Sequence, residues 1–225
     1  LVAMEPPVAL DADEVRDKKL DLLRAVRPIA PAEIDRLAVR GQYGPGRAAG
    51  APRVGYREED GVPDDSPTET YAAVKLHVDN WRWHGVPFYL RTGKRLAVRA
   101  GEVVIVFRDA PHRIFADDAA PGWPRNRLTL DIQPDEGIRL AFLAKRPGLA
   151  MRLAPVEMHF GYAESFHERA PEAYETLLLD VMRGDATLFK RGDQVALAWR
   201  LVTPILEAWA QRPPEDFPNY AAGSR

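Results

Sequence analysis

The residues best suited to chemistry in this chain are cationic and gather at one turn. Gly85-Val-Pro-Phe-Tyr-Leu-Arg-Thr-Gly-Lys94 is a short apolar run that ends on a glycine and a lysine, with Arg95 and Arg99 close behind. Gly93 lets the backbone turn tightly or approach a ligand, and Lys94 carries a compact charge whose N–H donors suit a phosphate dianion. Arg99 adds a second cation on the same loop. From residue types alone a solvated basic turn beside a sheet is the plainer reading and an anion site the other, and spacing alone carries little weight between them.

Other chemistries find little support. The histidines His77, His84, His112, His159 and His167 lack the HExxH spacing of a zinc site, and none of Ser66, Ser165 and Ser224 sits in a GxSxG turn. With no cysteine there is no thiol nucleophile, thiolate metal site or disulfide framework, which places the chain most simply in the cytoplasm. Gly41, Gly44 and Gly46 are the wrong distance apart for a dinucleotide-binding turn and share their segment with Pro45, so they are read as a flexible turn. No catalytic, cofactor-binding or metal-ligating residue is therefore assigned. A net charge of −2 provides no basic field for nucleic acid, and no apolar run is long enough for a membrane helix.

The positioning elements follow from periodicity. A hydrophobic fraction of 46% with 28% charge is enough for a sizeable core, and 225 residues fit one large domain. Asp11 with Glu14 opens a helix whose stripe is Val15, Leu22, Leu23 and Val26, ending at Arg27-Pro28. Residues from about 44 to 67 are rich in Gly, Pro and charge and read as a long, partly mobile loop. From Thr68 the period becomes two, with Val74, Leu76 and Val78 on one face. Further short strands are expected at 88–91, 102–108, 127–132 and 138–143. Gln133-Pro-Asp-Glu-Gly137 is too short for a crossover, so its flanking strands pair antiparallel. Two helices close the chain. One carries Tyr174, Leu177, Leu178 and Val181 and ends at Gly184; the other is capped by Asp193 and carries Val195, Trp199, Val202, Leu206 and Trp209 around Pro204. The fold class is α+β, a largely antiparallel meandering sheet with helices packed on one face and no Rossmann domain.

The run Tyr71-Ala-Ala-Val-Lys-Leu-His-Val-Asp-Asn-Trp-Arg-Trp-His-Gly-Val-Pro-Phe-Tyr-Leu-Arg-Thr-Gly-Lys-Arg-Leu96 closely resembles the substrate-domain signature of the glucose-6-phosphate dehydrogenases. Collinear segments resemble the same family, among them Met4-Glu-Pro-Pro7, Val15-Arg-Asp-Lys-Lys19, Arg40-Gly-Gln-Tyr43, Ile132-Gln-Pro-Asp-Glu136, Lys145-Arg-Pro-Gly148, Leu179-Asp-Val-Met-Arg-Gly-Asp185 and Trp199-Arg-Leu-Val-Thr-Pro204.

The resemblance implies the carboxy-terminal, substrate-binding and dimerisation domain of a bacterial-type enzyme of the pentose phosphate pathway. That enzyme oxidises glucose 6-phosphate at C1 to the lactone and passes hydride to NADP or NAD. In the family the nucleotide loop and the catalytic histidine precede the Met-Glu-Pro-Pro segment, so residues 1–225 are expected to be a fragment without either, inactive by itself. The family's substrate contacts carry over to Lys94, Arg99 and Gln133, with Tyr174 a marginal candidate that fits a core role as well. A second, structural NADP is not expected: Ala100 and Asp131 stand where basic residues would hold it, although Arg91 remains. The resembled enzymes pair through the sheet, which implies a homodimer or homotetramer. A purely non-catalytic assembly module is the alternative.

Overall fold

The computed structural model describes residues 1–112, 124–167 and 171–224. The chain divides into two compact units, one formed by Leu1–Val98 with Ala173–Arg225 and the other by Arg99–Glu172.

In the first unit, helix α1 spans Ala12–Ala25. The Asp11 carboxylate accepts the amides of Asp13 and Glu14, satisfying two of the donors a helix start leaves free. Val15 of the expected stripe is buried, while Leu20, outside that stripe, supplies the other buried helix residue. Val26 forms a bridge with Val78, and Arg27 grips Asp79 through two bonds of 2.9 and 2.6 Å. A 3₁₀ turn (Pro31–Glu33) and the short helix α2 (Ile34–Leu37) lead into strand β1 (Ala38–Gly41).

Strands β5 (Tyr71–His77) and β6 (Pro87–Gly93) join β1 in a three-stranded antiparallel sheet of order β1-β5-β6. The period-two pattern turns Ala72, Val74 and Leu76 toward one face. There they meet Ile34, Leu37, Ile205 and Trp209 in the core. Ile205 and Trp209 belong to helix α5 (Gly192–Gln211), so helices cover that face of this sheet, as the α+β reading requires. Asp193, expected as the cap of α5, instead lies within its first turn. The helix starts two residues earlier than that cap implies, at Gly192, with Arg191 in the cap position and its amide accepted by the Gln194 side chain. Helix α4 (Ala173–Arg183) ends at Gly184, whose φ of +70° suits the residue just beyond a helix.

The segment expected as an irregular loop from about 44 to 67 contains regular structure. Strands β3 (Gly46–Ala48) and β4 (Ala51–Arg53) form a hairpin, followed by a 3₁₀ turn at Tyr56–Glu58. Fully buried Gln42 explains why the rest is held: its side-chain amide donates to the carbonyls of Ser66 and Thr68, both at 2.9 Å. At the end of the unit, β11 (Tyr220–Ala221) lies parallel to β2 (Tyr43–Gly44).

The second unit is an antiparallel meander of four strands: β7 (Gly101–Val106), β8 (Arg127–Gln133), β9 (Gly137–Lys145) and β10 (Leu153–Gly161). A short helix α3 (Tyr162–Phe166) follows. The strands at 102–108, 127–132 and 138–143 expected from sequence correspond to the first three. The register aligns Val103, Leu130, Ile138 and Phe160 across the sheet, with Ile105, Leu128, Leu140 and Met158 beside them on the same apolar face. The opposite face is mixed, with a charged cluster among residues such as Val104 and Ala141. Arg139 donates two bonds to Asp131 at 2.8 and 2.7 Å and lies 3.5 Å from Glu102.

Candidate substrate-binding site

The end of β6 delivers the cationic turn. A side chain at Gly93 would come within 2.7 Å of the Tyr71 ring, so the close approach of the turn to β5 excludes any larger residue there. Arg95 adopts a left-handed conformation with φ of +52°, costly for a residue with a Cβ. Its guanidinium donates to Glu59 at 2.9 Å, and the same carboxylate oxygen accepts the Tyr43 hydroxyl at 2.6 Å. These contacts, the Tyr43 bond foremost and Arg95 next, hold the Glu59 carboxyl below its ordinary range.

Between these two residues Lys94 has a fixed backbone and an unengaged side chain. Its amide donates to the Thr70 carbonyl at 2.8 Å, and its carbonyl accepts the Tyr220 hydroxyl at 2.9 Å. Among the described residues no carboxylate pairs with its ammonium group, and Lys94 is exposed. Of the neighbouring cations, Arg95 is paired with Glu59, whereas Arg91, an exposed residue of β6, has no carboxylate partner among the described residues. A lysine with an ordered backbone and a free ammonium group gives up less freedom when it captures an anion than one on a loose loop.

Arg99 and Gln133 belong to the second unit. Arg99 precedes β7 by two residues, and Gly101 at the start of β7 is in register with Gln133 at the end of β8, so both residues come to one end of the meander. Gln133 lies along Gly101, where an added Cβ would be 3.2 Å from its Cγ and 3.4 Å from its Nε2. Both side chains are exposed and, among the described residues, have no hydrogen-bond partner within the chain. Gln133 has an amide acceptor and donors available for hydroxyl groups, and Arg99 a guanidinium.

Tyr174 is 79% exposed on α4, with Leu178 and Val181 also exposed, so the helical stripe that suggested a core role for it packs into no core among the described residues. Asp131, where a basic residue would favour a second nucleotide, is a carboxylate already held by Arg139. That two-pronged bond lowers its pKa.

Sequence reasoning missed Thr70, Tyr43, Glu59 and Tyr220, the residues that set the Lys94 turn. None stands in a periodic pattern; each acts through hydrogen bonds to residues distant in sequence. A separate shallow groove lies between α2 and β5, lined by Arg27, Arg36, Lys75 and His77 with Glu33. Two of its cations are already paired, Arg27 with Asp79 and Arg36 with Glu33, and it includes none of the residues singled out above. Among the described residues no cluster of His, Asp or Glu is arranged to hold a metal ion, and no helix is long and apolar enough to cross a membrane.

A family model described as the C-terminal domain of glucose-6-phosphate dehydrogenase matches residues 1–225. The glucose-6-phosphate 1-dehydrogenase of Chlamydia pneumoniae is 46% identical over the whole chain, and that of Mycolicibacterium smegmatis is 49% identical over 97% of it. The chain spans 44% of the length of each of these relatives. A solved structure of glucose-6-phosphate dehydrogenase in complex with its substrate glucose-6-phosphate superposes with a TM-score of 0.83. It is 36% identical over the whole chain, which covers 44% of that structure. The corresponding enzyme of Mycobacterium avium gives a TM-score of 0.76 at 36% identity, over 99% of this chain and 43% of its own. With the family model matching from end to end and relatives near half identical, the chain belongs to the family of glucose-6-phosphate dehydrogenase C-terminal domains.

Proposed function

We propose that this chain is the substrate-binding and subunit-pairing part of a glucose-6-phosphate dehydrogenase, which oxidises glucose 6-phosphate at C1 to 6-phosphogluconolactone. The observation that carries the reading is Lys94: in a chain of this family, it is a lysine with both peptide groups bonded and its ammonium group free. Its role is to receive the substrate phosphate by charge-assisted hydrogen bonds. In the second unit, the family resemblance assigns Arg99 as a further cation for the substrate and Gln133 as a side-chain amide for sugar hydroxyls.

Hydride transfer needs NADP or NAD, which would accept the hydride from C1. Among the described residues, the glycine cluster of this chain does not fit a dinucleotide. Gly41, Gly44 and Gly46 lie in β1, β2 and β3 and lead into a hairpin, whereas pyrophosphate is held by a glycine turn that opens a helix. No step is therefore assigned to this chain's residues beyond binding and orienting the sugar phosphate, and by itself the chain is not expected to form NADPH. A second, structural nucleotide is also not part of this reading, since Asp131 would repel its phosphate.

The apolar face of β7–β10 supports pairing with a second copy, as a homodimer or homotetramer. Met158 is 62% exposed there and Ile132 55%, a costly surface to leave in water. The absence of cysteine from the sequence supports a cytoplasmic setting.

The test is Lys94→Ala in the complete enzyme. Losing a charge-assisted contact costs about 1.5 to 3 kcal/mol, so KM for glucose 6-phosphate is expected to rise at least about tenfold. An unchanged KM would return Lys94 to a solvated turn.

A further inference from the structure

The C-terminal strap at Tyr220–Ser224 meets the Lys94 turn through a chain of hydrogen bonds whose direction can be worked out from proton counting. Three oxygens surround the single Tyr220 hydroxyl: Thr70 Oγ1 at 2.8 Å, the Lys94 carbonyl at 2.9 Å and the Thr70 carbonyl at 3.3 Å. The Thr70 carbonyl already accepts the Lys94 amide at 2.8 Å. Thr70 Oγ1 accepts the Tyr43 amide at 3.0 Å, which leaves its own proton for Tyr220. The phenol proton then goes to the Lys94 carbonyl, the nearer of the two carbonyls. The relay runs from the Tyr43 amide through the Thr70 hydroxyl and the Tyr220 hydroxyl to the Lys94 carbonyl, each link polarising the next.

The strap also holds the next residue. The Gly223 amide donates to the Arg95 carbonyl at 2.7 Å, and the Ala97 amide donates to the Ser224 carbonyl at 3.0 Å. Two successive carbonyls of the turn, at Lys94 and Arg95, are thus gripped from the C-terminal strap. The Tyr220 ring is held independently of its hydroxyl, by edge contacts to the Tyr43 and Tyr71 rings at 6.2 and 5.9 Å and by the pairing of β11 with β2. Removing the hydroxyl alone therefore frees the Lys94 carbonyl without unseating the ring.

We propose that Tyr220 is a positioning residue for substrate binding, its hydroxyl fixing the peptide of Lys94 and so the direction in which the ammonium group meets the sugar phosphate. The proposal rests on the reading of Lys94 as the phosphate-binding cation. It assigns a binding role to a residue far from the substrate motif in sequence. Tyr220 itself touches no substrate, and its influence passes wholly through Lys94.

A double-mutant cycle of Tyr220→Phe and Lys94→Ala in the complete enzyme tests it. Tyr220→Phe is expected to raise KM for glucose 6-phosphate about threefold to tenfold, the equivalent of one neutral hydrogen bond. The nicotinamide cofactor's KM should stay constant and kcat should change by less than about twofold, a split that general loosening of the fold would not give. In the Lys94→Ala background Tyr220→Phe should have no further effect on KM. If Lys94→Ala raises KM but Tyr220→Phe does not, or if the two effects multiply in the double variant, Tyr220 does not act through Lys94 and the proposal fails while the reading of Lys94 stands. If Lys94→Ala itself leaves KM unchanged, the reading of Lys94 fails and takes the proposal with it.

Discussion

Replacing Gly223 by alanine should release the C-terminal strap locally while leaving most of the fold in place. Gly223 has a φ of +93°, and a Cβ there would sit 1.9 Å from the Arg47 carbonyl oxygen, well inside van der Waals contact. The backbone at that point cannot give way without losing the bonds around it. Those are Arg47 N–H to the Ala222 carbonyl at 2.9 Å, Ala222 N–H to Gly44 at 3.1 Å, Gly223 N–H to Arg95 at 2.7 Å and Ala97 N–H to Ser224 at 3.0 Å. At about 0.5 to 1.5 kcal/mol net each, the four bonds contribute about 2 to 6 kcal/mol. Freeing Ala222, Gly223 and Ser224 returns about 1 to 2 kcal/mol of backbone entropy per residue, which offsets most of that. Peeling the strap away is thus cheaper than keeping the clash, and the global stability should fall by no more than about 3 kcal/mol. Amide hydrogen exchange separates the local from the global effect: protection at Arg47 and Ala97 should collapse while amides of α5 remain slow. Unchanged protection at Arg47 and Ala97 in a folded Gly223→Ala chain would show that the strap is not seated as described.

Ile34, 1% exposed in the core of the first unit, should cost about 2 to 5 kcal/mol when cut to alanine, read from urea unfolding; a smaller loss would mean that α2 collapses onto the cavity. The Tyr43 and Tyr220 phenols are both pushed above the ordinary tyrosine value, chiefly by burial. The folded state therefore favours the neutral phenol. Stability from this source is complete below about pH 10 and is lost as pH rises through the higher folded values. Denaturation midpoints measured across that range should fall less steeply in Tyr220→Phe, and parallel slopes would count against a raised pKa at Tyr220.

Much of this was legible in sequence because it rests on local pattern. The alternation of Val74 and Leu76 gave β5, the Asp11 cap gave the start of α1, and Gly184 gave the end of α4. Strand β10 was not legible, because Pro155 interrupts its pattern. An edge strand tolerates proline where a central one does not, and β10 is at the edge of its sheet. The order within the 44–67 segment was hidden too, since it depends on the buried amide of Gln42 reaching Ser66 and Thr68. For the candidate site, the family resemblance pointed to Lys94, Arg99 and Gln133. It did not indicate what orients Lys94, because Thr70 and Tyr220 reach it across long stretches of chain and no spacing rule connects them. The burial expected of the α4 stripe failed for a related reason: periodicity marks an apolar face and is silent on what, if anything, covers it.

The central claim is that Lys94 recognises the phosphate of the substrate, and the most direct measurement is a specificity ratio. In the complete enzyme, kcat/KM for glucose 6-phosphate and for unphosphorylated glucose would be compared between the parent and Lys94→Ala. The account expects the variant to lose about tenfold or more toward the phosphorylated sugar and to keep its efficiency toward glucose within about twofold, because the lost charge has a partner only when the phosphate is present. An equal loss on both sugars, or no loss on either, would contradict it.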